Sequence, residues 1–414
     1  MDRLPSPPLA VTGVGVVSGL GVGRHAFERA FAAGESSLSR VSTFDTGDCR
    51  SHVGGRIVEF DPTRFVALAR LRRIDRIGQL AVMGCGLALE DAGLLPAPGL
   101  GSDDIGVALG SYTAGLHSLV DYLDRLNEHG PIGASALDFS NTVGNAAASL
   151  CGLEFGLRGP NVTLSQREAS GLAAIAYAAS LLRSGKCRAV VTGGIDDFER
   201  VFFQVHDHFG VLAHDAGHGE VSRPFQRWRN GFVLGCGAFV IALERQESAA
   251  DRGATLHGEV LGVGATSSPC RPNDWPTDPE PLARAMRAAL ERSGLGPHDV
   301  SAVFASANST YTLDRVEAEA ISSVFGPSAV PVVAVKGALG ECGASSAAGV
   351  VAALDALRSS RLPPTLGCGE LDPECAVDVV ATSRPLGAPV RVALVNGFAS
   401  GGSNYCVAIR WTDK

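Results

Sequence analysis

Two kinds of apolar run alternate along this chain. Short ones, apolar on both faces, occupy Ala10–Val17, Ile105–Gly110, Val162–Ser165, Ala189–Gly194, Val300–Ala305 and Val332–Val335, and predict buried strands. Longer ones predict helices. One leads from Arg72 to Leu94 and stops at Gly93. Another covers 115–126, with Leu116, Leu119, Tyr122, Leu123 and Leu126 at helical spacing. The runs Ala169–Leu182 and Ala344–Leu357 are apolar or small on nearly all sides, which predicts buried helices rather than surface ones. The strand before the first of these feeds it through a tight turn near Glu168. Such a turn sits at a helix N-terminus, where unpaired N–H groups and the dipole favour an anion or a nucleophile.

The second half repeats the first. Ala88–Leu94 (ALEDAGL) returns as Ala289–Leu295 (ALERSGL), and the strand after each is matched. Val332–Val335, Gly340 and the helix 344–357 echo the turn and its buried helix, and Leu357-Arg358-Ser359 echoes Leu182-Arg183-Ser184. A duplicated α/β unit predicts two sheets sharing buried helices in one layered body. The halves are taken as 1–247 and 248–414.

The bulk numbers narrow the class. With 414 residues, 45% hydrophobic and 19% charged, and 51 glycines, the chain suits a compact, turn-rich α/β protein. A net charge of −8 argues against nucleic acid and anionic membrane as main partners. The ten cysteines form no C-x-x-C pair and no metal-ligand spacing. No apolar run reaches the ~20 residues that span a bilayer, and no leader pattern opens the chain, so a reduced, cytoplasmic protein is expected. Gly13-x-Gly15 lacks a following strand with a ribose-binding acid, so it is not read as a dinucleotide loop. His206, His208, His214 and His218 lie in a stretch read as loop-like, without an acid or thiolate at fixed helical spacing. No metal and no cofactor are expected.

Five separated motifs carry a family resemblance. Around the turn stand Gly159-Pro160, Ser165, Ala169-Ser170-Gly171 and Gly193-Gly194. Further on come Ser222-Arg223-Pro224-Phe225, Arg229 and Gly231-Phe232-Val233-Leu234-Gly235. Thr310, Thr312, Asp314 and Glu317 follow, then Lys336 and Gly340, and finally Asn396–Asn404 (NGFASGGSN). Together these resemble the β-ketoacyl synthases, condensing enzymes with the thiolase fold, across residues 8–412. The resemblance implies a thiolase-like duplicated αβαβα layered α/β fold. It also implies a cysteine nucleophile, two histidines that stabilise an enolate, and a pair of backbone N–H groups for the thioester oxygen. Here the cysteine position holds Glu168, the histidine positions hold Asn308 and Glu341, and the gating phenylalanine is Ser400.

These replacements agree chemically. Two carboxylates facing one pocket raise one another's pKa or recruit a cation. Lys336 is the expected counter-charge, with Glu317 competing for it. A negative pocket repels a malonyl carboxylate, and Asn308 cannot act as an acid or base near neutral pH. Within the family, a subunit without its nucleophile resembles the chain length factors, the β subunits of type II polyketide ketosynthases. That implies a heterodimer with an active ketosynthase subunit, dealings with an acyl carrier protein, and an acyl tunnel for which Leu116, Leu119, Tyr122 and Leu123 are candidates. Two alternatives stay open: a stand-alone decarboxylase or acyl-transfer enzyme using Glu168, and a homodimeric acyl-chain binder. The arginines at 70–76 either dock an acidic carrier protein or form a solvated helix start.

Overall fold

The computed structural model describes residues 5–57, 59–96, 101–387 and 391–412. Its main elements run in chain order as β1 (Leu9–Ser18), α1 (Arg76–Asp91), β2 (Ile105–Gly110), α2 (Leu116–His129), α3 (Ala146–Phe155), β3 (Asn161–Leu164), α4 (Ser170–Arg183), β4 (Ala189–Asp196), α5 (Arg200–His208) and β5 (Gly237–Arg245). The second half adds β6 (Gly258–Ser267), α6 (Glu280–Ser293), β7 (Ala302–Ala305), α7 (Tyr311–Phe325), β8 (Pro331–Ala334), α8 (Ser345–Ser359), β9 (Val392–Phe398) and β10 (Ser403–Arg410).

The strand order makes the duplication visible. From one edge it reads β3-β2-β4-β5-β1, then β6-β10-β9-β7-β8, so each half is the mirror of the other about the β1–β6 contact. In both halves the first two pairings from the centre are antiparallel and the outer two parallel. The expected two sheets are joined edge to edge by only three residue pairs, Leu9 with Val260, Ala10 with Glu259 and Val11 with Gly258. Helices α4 and α8 fill the middle layer, in one core with both sheets. α1 and α3 cover the N-terminal sheet from outside, and α6 and α7 cover the C-terminal one.

The middle layer explains why α4 has no polar face. Leu172, Ile175 and Leu182 are fully buried, each worth about 1.5–3 kcal/mol of apolar burial. Small residues let the layers approach: a Cβ on Gly171 would lie 2.9 Å from the Cβ of Ala347 on α8. β3 forms one outer edge of the sheet and pairs only with β2 among the described residues. It runs directly into the turn that carries Glu168, so one sheet edge and the candidate site share a segment.

One local expectation changes. The histidine-bearing stretch read as loop-like begins with a helix, α5, capped by the Glu199 carboxylate accepting from Val201 N–H. Its burial follows helical spacing, with Phe203, His206 and Asp207 buried while Val205 is exposed.

Candidate functional site

Glu168 lies in a short 3₁₀ turn, Arg167–Ala169, between β3 and α4. Arg167 has φ 53°, a left-handed conformation costly for a side-chain-bearing residue and typical of sharp turns that present a reactive group. The turn packs tightly, since a Cβ on Gly110 would meet Ser170 carbonyl oxygen at 2.0 Å.

Glu168 is 2% exposed. Its carboxylate is held from 232 residues away: Ser400 N–H donates to Oε2 at 3.1 Å, and Ser400 Oγ lies 3.0 and 3.1 Å from the two oxygens. One backbone donor at the elbow, Ser400 N–H, thus points at the protein's own anion. Arg167 Nε is 3.8 Å from Oε2. Burial pushes the Glu168 carboxyl above the usual range, and Arg167 and the Ser400 hydrogen bonds pull against it.

The other two degenerate positions form a second buried group. Glu341 Oε2 accepts from Lys336 Nζ at 2.7 Å and from Asn308 Nδ2 at 2.8 Å. Lys336 also donates to Ser306 carbonyl oxygen at 2.8 Å. Asn308 Oδ1 is taken by Thr310 N–H and Oγ1. Burial raises Glu341 to about 7, with the nearby Glu168 adding to the rise and Lys336 opposing it. Glu341 Oε1 has no hydrogen-bond partner among the described residues.

Lys336 therefore pairs with Glu341, not with Glu317. Glu317 Oε1 instead accepts from Ser306 N–H and Asn396 Nδ2 at 2.8 and 2.9 Å, and burial lifts it to about 7. Asp314, one turn earlier on α7, accepts from Asn308 N–H and Phe225 N–H and lies 3.7 Å from Arg229. Those bonds hold the 308–310 loop, including Ser309 at φ 79°.

A cleft of about 560 Å³ reaches only the first group. Its walls include Tyr112, Leu116, Phe202, Val205, Phe209 and Trp275, and Glu168 and Ser400 lie on its lining. Asn308, Lys336 and Glu341 are at most 1% exposed. Of the four tunnel candidates on α2, Leu116 lines this cleft. Leu119 and Leu123 are 38% and 43% exposed, and Tyr122 packs on Phe139 with ring centres 5.6 Å apart.

The motif reading passed over Asp196, at the end of β4. It is fully buried, and its Oδ1 accepts from Ser111 Oγ, from the N–H groups of Tyr112 and Thr113, and from Thr113 Oγ1 at 2.8–2.9 Å. Oδ2 accepts from Gly343 N–H. Asp196 thus ties the loop carrying Tyr112 to the loop carrying Glu341. An acid closing an otherwise apolar strand was the available signal. Among the described residues no cluster of three or more His, Cys, Asp or Glu side chains is placed to hold a metal. His214 approaches Arg50, and His218 stacks on Trp228. No helix among them is long and apolar enough to cross a membrane.

A duplicated layered sheet with a sharp turn at the head of a buried central helix is the scaffold of thiolase-like condensing enzymes. The family models agree: the beta-ketoacyl synthase N-terminal domain matches residues 6–249 and the C-terminal domain residues 257–369. The chain belongs to the β-ketoacyl synthase family. It is 33% identical to the tetracenomycin polyketide synthase ketoacyl synthase beta subunit of Streptomyces glaucescens, covering 97% of this chain and 98% of that one. It is 32% identical to 3-oxoacyl-(acyl-carrier-protein) synthase 2 of Synechocystis sp., covering 99% of each. The solved structure of the ishigamide ketosynthase/chain length factor superposes with a TM-score of 0.91 at 29% identity, over 98% of this chain and 100% of that one.

Proposed function

We propose that this chain is a non-catalytic, chain-length-factor-like subunit that pairs with an active ketosynthase and shapes the tunnel for the growing acyl or polyketide chain. One observation carries the reading. The Ser400 N–H at the elbow is filled by the Glu168 carboxylate, which stands where the resemblance calls for the nucleophilic thiol. A thioester oxygen finds that donor already taken, and a carboxylate is a poor acyl carrier in place of the thiol.

Further features support it. Asn308 and Lys336 both donate to Glu341 Oε2, and none of the three is on the cleft lining, so the enolate-stabilising half of the chemistry lacks its imidazoles. Strand β3 leaves a sheet edge open for a partner strand next to the elbow. A relative spanning nearly the whole chain is itself named a ketoacyl synthase beta subunit. Exposed Arg72 and Arg73 beside α1 suit an acidic carrier protein.

The test is reconstitution. The chain, expressed with candidate ketosynthases, is expected to copurify one-to-one with a subunit bearing the cysteine and both histidines. Alone it is expected to turn over neither malonyl nor acyl carrier protein. Turnover by the isolated chain that disappears in Glu168→Gln would overturn this reading in favour of a decarboxylase or carboxylate-dependent acyl transfer.

A further inference from the structure

Away from Glu168 and its neighbours Arg167, Asn273 and Asp274, the aromatic and aliphatic side of the cleft carries a polar side chain, His206. His206 lies on α5, 9% exposed, and lines the same cleft. Its ring is packed against Phe202, Phe232 and Tyr112, with ring centres 4.2, 5.9 and 6.1 Å away. Nδ1 lies 2.8 Å from the Phe202 carbonyl oxygen. A carbonyl only accepts, so Nδ1 carries the proton and Nε2 is the lone-pair nitrogen of a neutral ring. Burial and the nearby Arg167 both lower the His206 pKa, which keeps the ring neutral at physiological pH. Nε2 has no hydrogen-bond partner among the described residues and is not a sealed-in atom.

We infer that His206 is a specificity-determining residue of this cleft, its Nε2 accepting a hydrogen bond from a hydroxyl or enol on the bound chain. This rests on the proposal that the cleft receives an acyl or polyketide chain. The α5 side of the cleft around His206 is otherwise apolar, with Val201, Phe202, Val205, Phe209 and Val211 on the lining, while Arg167, Asn273 and Asp274 add polar groups elsewhere on it, outside the Glu168–Ser400 pair. Against such a wall a reduced alkyl chain displaces water from Nε2 and leaves it unpaired, a penalty that a matching hydroxyl avoids. A ketone oxygen is itself an acceptor and gains nothing. The selected class is therefore a chain that is hydroxylated or enolised at the carbon facing α5.

The experiment compares binding of dodecanoyl N-acetylcysteamine thioester and its monohydroxylated positional isomers by calorimetry. The proteins are the wild type in the oligomeric state in which it is isolated, and His206→Phe and His206→Gln. The expected result is that one isomer binds wild type ~10-fold more tightly than the unsubstituted chain. His206→Phe abolishes that preference, and His206→Gln, which keeps an acceptor, retains part of it. Should His206→Phe fail to fold, nitrogen-15 spectra of wild type give the same answer: the Nε2 resonance moves on adding the preferred isomer and not the plain chain. Equal affinity of wild type for all thioesters overturns the role of His206 and leaves the cleft as an acyl site. Failure of every thioester to bind overturns the acyl-site reading as well.

Discussion

Lys336 Nζ lies 2.7 Å from Glu341 Oε2, and neither side chain is more than 2% exposed. Removing one partner strands the other charge in the core. Lys336→Met is expected to cost about 3–5 kcal/mol, whereas Lys336→Met combined with Glu341→Leu recovers most of the loss. A urea-denaturation double-mutant cycle measures this. Additive losses in the double variant would show that the pair is not coupled.

Acidity follows from the same burial. Glu341 and Glu317 are lifted to about 7 from an ordinary glutamate value of 4.5. Folding therefore takes up protons between those values. The stabilisation is whole below about pH 4.5 and is lost as pH rises through about 7. Conformational stability is expected to fall between about pH 4.5 and pH 7 by about 2 kcal/mol or more. Glu341→Gln should make that slope shallower, leaving the share of Glu317, and an unchanged slope in the variant would refute the assignment.

Thiol chemistry gives a third check. Of the ten cysteines, all free, only Cys49 and Cys270 are not fully buried. Native protein treated with iodoacetamide is expected to take up at most two equivalents before unfolding, read by intact mass. Glu168→Cys places a thiol on the cleft at the head of α4, with the Ser400 N–H freed, and should add a faster-reacting equivalent. It should still not condense, because Asn308 and Glu341 supply no imidazole.

Leu116 is the tunnel candidate on α2 that lines the cleft with Glu168. In the reconstituted pair, Leu116→Trp is expected to shorten the product and Leu116→Ala to lengthen it, while Leu119→Ala and Leu123→Ala act, if at all, through association with the partner. Mass spectrometry of the released chains decides. Changes in rate without change in length at Leu116 would sink the chain-length role.

Much of this architecture was legible because burial on both faces leaves a plain mark. Ile105–Gly110 and Ala189–Asp196 are unbroken apolar runs, and the polar-poor stretch before Arg183 could only be an interior helix. The motif residues flanking positions 168, 308 and 341 pointed to them, and the structure brings Asn308 and Glu341 into one hydrogen bond. What stayed hidden was long-range. Nothing near Glu168 announces that Ser400 will close on it, nor that Lys336 prefers Glu341 to Glu317, since both outcomes depend on how two halves fold against each other. Helix α5 puts Phe203, His206 and Asp207 on one buried face at helical spacing, but which cleft His206 lines depends on long-range packing.

The Glu168 carboxylate, seated on the N–H and Oγ of Ser400, occupies the elbow as a tethered anion. Small molecules that silence condensing enzymes by offering an anionic oxygen to that place would find the seat taken. If this chain pairs one-to-one with an active ketosynthase as proposed, such compounds would count competent centres only, and their titration endpoint would fall at half the number of folded protomers.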